Sequence, residues 1–345
     1  MPMLIILFTL MTSSAFAHLD AYGNDYSVRA PSTHTMQKLS KEFEVLRKTD
    51  KGYDFYVPTV RLARFKALAP QAQLIVEEQT KAADLEEYRT YTSMGVELRD
   101  LAQQYPALVR LETYGTTRSG HTLYALKVSD NVAVKEDEPE LMITAATHGD
   151  ELITVEVTMT LLKEMLAGYG TNARYTRMID EHELFILPMV NPEGYNRRSR
   201  YAGGWTDPNR DYPWPENANR ESIDCIDSLR QFFHAHNFKG SLDIHASGKM
   251  VMYPWAYTRQ APPAEDARNF DYLVKSMAEQ NNYAAGQISK VIYVAQGSSA
   301  DYYYWKNKTV AIAVELGTSK APAYSRIPSV VDEAREMVWR FVENF

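Results

Sequence analysis

The chain has 345 residues, of which 45% are hydrophobic and 23% are charged, a composition typical of a globular protein with a large core. Its length allows about two domains. A formal net charge of -7 gives no support for binding nucleic acid. The single cysteine, Cys225, excludes an internal disulfide framework, and we expect it to be a small buried hydrophobic residue.

Residues 1–17 are predicted to form a signal peptide. Their apolar run is too short to span a bilayer and ends in the Ala15-Phe16-Ala17 cleavage pattern. No lysine or arginine precedes the run, so the terminal amine supplies the only positive charge, and an uncleaved anchor is the alternative. We therefore expect a secreted or periplasmic protein with no membrane span in the mature chain.

Residues 18–77 are predicted to form a small α+β domain, followed by a charged connecting segment over residues 78–90. Apolar residues at helical spacing indicate helices over Thr33–Phe43 and Thr59–Leu68. Alternating residues indicate strands over residues 44–49, 53–58 and 73–77, with a turn at residues 50–52.

Residues 91–345 are predicted to form an α/β domain with a mixed sheet covered by helices on both faces, because strands and helices alternate along the chain. The predicted strands are 109–114, 123–128, the run beginning at Leu141, 183–190, 241–245, 251–253 and 309–315. The predicted helices are 95–105, 152–166, 220–236, 264–280 and 329–345. Residues 191–215 show little apolar periodicity and are predicted to form a long loop, and loops of that length usually carry function.

Polar residues end three of the predicted strands, and we expect them to meet at one edge of the sheet. His148-Gly-Asp-Glu151 follows the first of these strands, His245 ends the second and Glu315 ends the third. An H-x-x-E motif alone is weak evidence for a metal site. Gly149 is expected to let the chain turn so that the side chains of His148 and Glu151 reach one ion. Two histidines and a carboxylate can hold zinc with a fourth position open, and another carboxylate can accept a proton from water during hydrolysis.

A wider set of motifs resembles the zinc metallocarboxypeptidases of the carboxypeptidase A type, peptidase family M14, over roughly Tyr91 to the C-terminus. The motifs are His148-Gly-Asp-Glu151, Asn191-Pro-Glu-Gly194, Arg197-Arg-Ser-Arg200, Thr206-Asp-Pro-Asn-Arg210, Leu242-Asp-Ile-His-Ala-Ser-Gly248, Met252-Tyr-Pro-Trp-Ala-Tyr257, Ile292-Tyr-Val-Ala-Gln-Gly-Ser-Ser-Ala-Asp301 and Val314-Glu-Leu-Gly317. The spacing from Tyr293 to Glu315 also agrees with the family. The resemblance implies a carboxypeptidase-like fold.

The resemblance also implies the role of each site residue. One Zn²⁺ per chain would be held by His148, Glu151 and His245, with Glu315 as the general base on the metal-bound water. Asp207 would orient the first ligand histidine. The free C-terminal carboxylate of a peptide substrate would be held by Asn209, Arg210 and Tyr293. The arginine that polarises the scissile carbonyl lies within 197–200, and the motif alignment favours Arg197 over Arg200.

The specificity pocket is expected to be neutral. Its base matches Ala300, where family members that prefer lysine or arginine carry an acid, and Ile288, Ile292, Ala295 and Ala313 are also apolar. An uncharged pocket cannot offset the desolvation of a charged side chain, so a hydrophobic or aromatic C-terminal residue is predicted. Asp301 is expected to point away from the ligand. Two departures from the family are Ser247, in place of a subsite tyrosine, and Asp150, which would change the charge near the next subsite.

The small N-terminal domain loosely resembles the ferredoxin-like propeptide of the same family. A zymogen cut by an activating protease between Glu77 and Tyr91 would follow, and a permanent accessory domain is the alternative. Two other functions stay open: a periplasmic carboxypeptidase acting on muropeptides of the cell wall, and a non-catalytic carboxypeptidase-like binding module.

Overall fold

The computed structural model describes residues 25–30, 39, 42–49, 52–58, 61–74 and 85–345. The predicted signal peptide, most of the first predicted helix and most of the connecting segment lie outside these residues. The chain divides into two compact units, Met1–Ala82 and Ala83–Phe345. Within the described part, no helix is both long and apolar enough to cross a membrane.

The first unit contains a four-stranded antiparallel sheet in the order β2-β3-β1-β4. Its elements are β1 (Asp25–Ala30), β2 (Glu44–Thr49), β3 (Gly52–Pro58), α1 (Leu62–Leu68) and β4 (Gln73–Leu74). Phe65 of α1 is fully buried and packs edge-on against Phe43 and Phe55. The strands predicted over residues 44–49 and 53–58 are confirmed as β2 and β3, and the strand predicted over residues 73–77 is described only at Gln73–Leu74, as β4. Strand β1 was not predicted. The interpretation of this unit as a propeptide stays a prediction.

The second unit contains an eight-stranded mixed sheet in the order β11-β10-β12-β9-β7-β8-β6-β5. The strands are β5 (Val109–Thr116), β6 (Thr122–Val128), β7 (Glu140–Ala145), β8 (Glu183–Leu187), β9 (Gly240–Ala246), β10 (Met250–Tyr253), β11 (Ala284–Gln287) and β12 (Val310–Leu316). Every residue of β7, β8 and β9 is buried, which requires cover on both faces of the sheet. The predicted fold class is confirmed.

Helices flank this sheet. They are α2 (Tyr91–Gln104), α3 (Leu152–Gly168), α4 (Ala173–Asp180), α5 (Pro192–Arg197), α6 (Asp224–Ala235), α7 (Ala264–Ala278), α8 (Ile288–Val291), α9 (Ser299–Asn307) and α10 (Ile327–Val342). Helix α3 is apolar nearly all round, so it is buried in the core and packs against α10. Helix α9 packs against β12, and α6 packs against β5.

Several differences from the predicted elements arise where polar side chains cap a helix start, whereas α4, α8 and β11 were not predicted at all. Helix α2 begins four residues earlier than predicted because Thr90 and Ser93 form a reciprocal capping box. Helix α5 lies within the predicted loop because the Asn191 side chain accepts a hydrogen bond from Gly194 N, with proline at the first helical position. Helix α9 was not predicted, and Ser298 caps it.

The predicted meeting of three strand ends is confirmed. Strands β7 and β12 both pair with β9 in parallel, so their carboxyl ends lie side by side at one edge of the sheet. His148 follows β7, His245 lies near the end of β9, and Glu315 is paired with His245 in the register of β9 and β12.

Candidate metal centre and substrate site

His148, Glu151 and His245 form a buried group whose ligand atoms all lie within 4.8 Å of one another. Nδ1 of His148 lies 2.7 Å from Glu151 Oε1, and Nδ1 of His245 lies 3.0 Å from Glu151 Oε2. The two Nδ1 atoms are 3.2 Å apart. Two imidazole nitrogens and a carboxylate facing one point are a donor set suited to zinc.

The far side of each imidazole contacts a carboxylate. Nε2 of His148 lies 3.2 Å from Asp207 Oδ1, and Nε2 of His245 lies 3.0 Å from Asp243 Oδ2. A carboxylate at Nε2 favours a proton there, which leaves Nδ1 as the metal-facing nitrogen. The donor set therefore fits a metal ion through its atom types, its burial and the orientation of both rings.

Arg200 holds Asp207 in place. Its Nε and Nη2 lie 3.0 and 2.8 Å from Asp207 Oδ2, and its Nη1 lies 3.1 Å from His148 Nδ1. Although burial opposes the charged form, Arg200 and then His148 hold the pKa of Asp207 well below its ordinary value. Likewise burial opposes ionisation of Glu151, but His148 and His245 hold its pKa well below the usual range. Both acids are thus ionised, as a ligand and a ring-orienting acceptor must be.

Gly149 is required by close packing rather than by a left-handed turn. Its φ is not positive, but a Cβ at this position would lie 2.0 Å from Gly194 C and 2.1 Å from Tyr195 N. The two motifs His148-Gly-Asp-Glu151 and Asn191-Pro-Glu-Gly194 therefore pack backbone to backbone. The chain turns at residues 149–150 as the sequence suggested, and the close packing is a second reason for the glycine.

Asn209, Arg210 and Tyr293 lie together beside the histidines. Arg210 Nη2 donates to the Tyr293 hydroxyl at 2.5 Å, and Arg210 Nη1 donates to the Asn209 carbonyl at 2.7 Å. Asn209 Oδ1 accepts from Ser299 N at 2.9 Å, which turns its Nδ2 to within 3.2 Å of His245 Nε2. Donors from a guanidinium, an amide and a phenol converge here, as recognition of a carboxylate requires.

Glu315 lies beside the metal group. It is the register partner of His245 on a neighbouring parallel strand, so both side chains point to the same face of the sheet. Glu315 is only partly buried, in contrast to Glu151. A partly exposed carboxylate next to the metal group can be reached by water.

The two candidate arginines occupy different environments. Arg197 is exposed at the end of α5, and its Nη2 donates to the Tyr201 carbonyl at 3.3 Å. Arg200 is buried and bound to Asp207 and His148. The assignment of Arg197 as the residue that polarises the carbonyl stays a prediction, and the structure brings only Arg200 into contact with the metal group among these two.

The predicted pocket residues are apolar, and all of them except the half-buried Ile292 are buried. Ala300 is 2% exposed in the first turn of α9. The neighbouring Asp301 accepts hydrogen bonds from the backbone N–H groups of Ala256 and Tyr257, at 2.7 and 2.8 Å. Burial raises the pKa of Asp301 to about 7 against these two donors. Its carboxylate is committed to the backbone, in agreement with the expectation that it points away from a ligand.

Asp150 differs from its sequence interpretation as a charge near a subsite. It is fully buried, and its Oδ2 accepts a 2.7 Å hydrogen bond from Lys320 Nζ in the loop after β12. Its charge is balanced by Lys320 and does not reach a solvent-filled subsite. Ser247, the other departure, is half-buried after β9.

Asp243, Ser299 and Lys320 support the site or its metal-binding turn and were not singled out from the sequence. An available signal for Asp243 was its place two residues before His245 on one strand, because such residues share a face. Lys320 had no signal, because its partner Asp150 lies 170 residues away.

A profile of the zinc carboxypeptidase family matches residues 94–337. The chain is similar to a zinc carboxypeptidase from Saccharothrix mutabilis subsp. capreolus, with 29% identity over 66% of this chain and 62% of that protein. It is also 29% identical to mouse carboxypeptidase A4, over 64% of this chain and 60% of that protein. The chain thus matches about three fifths of the length of these two relatives.

The fold is similar to that of a solved carboxypeptidase A from Helicoverpa armigera. The TM-score is 0.78 at 18% identity, with 93% of this chain and 97% of that chain covered. Since the family profile spans most of the chain, the protein belongs to the zinc carboxypeptidase family, peptidase family M14.

Proposed function

We propose that the protein is a zinc-dependent carboxypeptidase that hydrolyses the C-terminal residue from peptides. The observation that carries the proposal is the contact between two sites: Asn209, of the carboxylate-binding group, lies 3.2 Å from the metal-binding His245. A free C-terminal carboxylate bound by the first group would present the last peptide bond to the second. His148, Glu151 and His245 would hold one Zn²⁺, which when bound supplies Lewis acidity toward the scissile carbonyl and toward water.

The chain's own residues account for the remaining steps. Arg210 and the amide of Asn209 would bind the carboxylate, and the Tyr293 hydroxyl already bonded to Arg210 would close over it. Glu315 would take a proton from the attacking water and deliver it to the leaving amine. An arginine, Arg197 by the motif alignment, would stabilise the oxyanion.

The substrate class follows from the pocket. Ala300 offers no charge, and Asp301 is bound to backbone N–H groups, so a charged side chain would lose hydration without compensation. We infer a preference for neutral, hydrophobic or aromatic C-terminal residues.

Export and activation are also proposals. We infer that residues 1–17 direct the chain to the periplasm or medium, and that an activating protease removes residues 18–77. Tyr88 and Arg89 bond to other residues of the second unit, which supports a cut before residue 88. Tyr88 donates to the Pro322 carbonyl at 2.5 Å, and Arg89 is paired with Glu156 and Glu97. Cleavage followed by N-terminal sequencing of the mature protein tests this.

The test of function uses N-acylated dipeptides that end in L-Phe, L-Lys or L-Glu, together with the C-terminal amide of the L-Phe substrate. We expect hydrolysis of the L-Phe acid, little turnover of the amide, and loss of activity with a chelator that zinc restores. The Glu315→Gln variant should retain zinc and lose about 10²–10⁴-fold in kcat. Equal turnover of acid and amide would refute the carboxylate site.

The muropeptide alternative predicts a different outcome from the same assay. Stem peptides also end in a carboxylate, so Asn209, Arg210 and Tyr293 suit them equally. Hydrolysis of peptides ending in D-Ala or diaminopimelate, without hydrolysis of the L-Phe substrate, would favour it. A binding module would bind these peptides without turnover by the zinc-loaded protein.

A further inference from the structure

We propose that Asp243 is a positioning residue of the metal site, which fixes the ring of His245 and connects the two chain segments that carry the histidine ligands. The inference deepens the proposed zinc site and rests on it. Asp243 lies two residues before His245 on β9, so both side chains point to the same face of the sheet. Asp243 Oδ2 lies 3.0 Å from His245 Nε2, on the ring side opposite the Nδ1 that faces Glu151.

The carboxylate of Asp243 is buried and is held by three hydroxyl groups from other parts of the fold. Thr144 of β7 and Thr147 each donate to Oδ1, at 2.9 and 3.0 Å. Ser299, the first residue of α9, donates to Oδ2 at 2.6 Å. These donors fix the position of the carboxylate, so the Asp243–His245 contact is preorganised rather than adjustable.

The same contacts join the histidine ligands through the protein. Thr147 immediately precedes His148, and Thr144 lies on the strand that leads to it. Asp243 therefore bonds to the chain segment of one ligand and to the ring of the other. A displacement of the Asp243 carboxylate would change the distance between the two Nδ1 atoms, which is now 3.2 Å.

Asp243 also selects the tautomer of His245. Asn209 Nδ2 lies 3.2 Å from the same Nε2, so this nitrogen could either accept from the amide or donate to the carboxylate. Donation to an ionised carboxylate is the stronger hydrogen bond, and a bare Nε2 would face the negative charge. The Nε2–H form leaves Nδ1 open to the metal and the Asn209 amide protons open to a substrate carboxylate.

Glu140 provides a matched control for Asp243, at the edge of the sheet opposite to the metal group. Glu140, the first residue of β7, is also a buried carboxylate bonded to a histidine, at 3.0 Å from His236 Nδ1. It also accepts from Asn237 N at 2.5 Å. Glu140→Gln removes the charge of a buried carboxylate–histidine pair that is not part of the metal group, so it reports the purely structural effect of such a change.

The experiment compares zinc affinity in the full chain, by competition with a chromophoric chelator, for the wild type, Asp243→Asn and Glu140→Gln. Asp243→Asn should bind zinc about 10–100-fold more weakly, and the visible spectrum of its Co²⁺-substituted form should change. Glu140→Gln should keep the wild-type affinity and spectrum even if it is less stable. Ser299→Ala, which keeps the carboxylate and removes one donor, should fall between wild type and Asp243→Asn.

If all variants fold, either of two results would overturn the proposal. One is a zinc affinity of Asp243→Asn within about threefold of the wild type with the same Co²⁺ spectrum. The other is an equal loss of affinity in Glu140→Gln. If Asp243→Asn does not fold, Ser299→Ala decides, because unchanged affinity and spectrum there would also contradict the role of Asp243. Zinc binding at this site without peptide hydrolysis would refute the proposed function and leave the role of Asp243 intact.

Discussion

The ion pair between Lys320 and Asp150 gives a quantitative prediction for the metal-binding turn. Asp150 lies between the ligands His148 and Glu151 and is fully buried, and Lys320 is 7% exposed. Lys320 Nζ donates to Asp150 Oδ2 at 2.7 Å, and the Lys320 carbonyl accepts from Ile153 N at 3.0 Å. The pair thus connects the turn to the loop that follows β12. Lys320→Met keeps an unbranched side chain that is one atom shorter and removes its charge.

The expected cost is large because the carboxylate would stay buried without the charge of Lys320. Removal of one partner from a buried ion pair costs about 3–5 kcal/mol in the free energy of unfolding. Replacement of both charges costs much less, because no uncompensated charge remains. The double variant Asp150→Asn/Lys320→Met should therefore recover more than half of the stability that the single variant loses.

The assay is urea unfolding at pH 7 with a chelator present, because bound metal would stabilise the folded state by mass action. Lys163→Met is the matched control. Lys163 is half exposed and lies 3.5 Å from Glu97, so its loss should cost about 0–1 kcal/mol.

The reasoning would be refuted if Lys320→Met were as stable as Lys163→Met. It would also be refuted if the double variant were no more stable than Lys320→Met, since the cost would then not arise from an unbalanced charge at Asp150. A double-mutant cycle over the two positions isolates the pair itself.

Three further predictions concern the site and the core. Arg197→Ala should lower kcat about 10²–10³-fold and leave the zinc affinity unchanged. Arg200→Ala should weaken zinc binding, because it releases Asp207. Steady-state kinetics and metal titration of both variants check these outcomes. Gly149→Ala should cost about 1–3 kcal/mol in urea unfolding, since its Cβ would meet backbone atoms. Burial opposes the ionised form of Glu140, but hydrogen bonds from His236 and Asn237 lower its pKa to about 2. The ionised Glu140 therefore stabilises the folded state above about pH 4.5, and this contribution is lost as the pH falls toward 2.

Each of these has a contradicting result. Loss of kcat in Arg200→Ala with zinc retained, and normal kcat in Arg197→Ala, would exchange the roles of the two arginines. A Gly149→Ala variant with wild-type stability would contradict the close packing on Gly194. The pKa difference for Glu140 corresponds to about 3 kcal/mol, so Glu140→Gln should be less stable than wild type at pH 6 and nearly equal near pH 2. A difference in stability between Glu140→Gln and the wild type that does not change with pH would exclude the ionisation of Glu140 as its cause.

The sequence by itself predicted the sheet and the place of the metal group. Strands β7, β9 and β12 are apolar runs long enough to recognise, and each ends in a residue able to bind metal or transfer a proton. Parallel strands bring such ends together whatever the loops between them do. For the same reason His148, Glu151, His245 and Glu315 could be expected at one edge of the sheet before their distances were known, whereas their separate roles were implied by the family resemblance.

Short capped helices were harder to predict because their signal is local and small. Helix α5 has six residues, and it begins where the Asn191 side chain, instead of a backbone carbonyl, accepts the hydrogen bond from Gly194 N. In the sequence this segment shows no apolar period, so it was predicted to be a loop. Helix α9 carries three consecutive tyrosines, all buried, which leave no amphipathic pattern to detect.

Only the tertiary structure decided which polar residues support the site. Asp150 faces Lys320 rather than a subsite, Gly149 is small because Gly194 lies against it, and Asp243 orients His245. Each of these facts depends on a contact between segments far apart in the chain or on the face that a strand presents. The local sequence determines which residue types lie at the site, whereas the packing of distant segments determines which residues they contact.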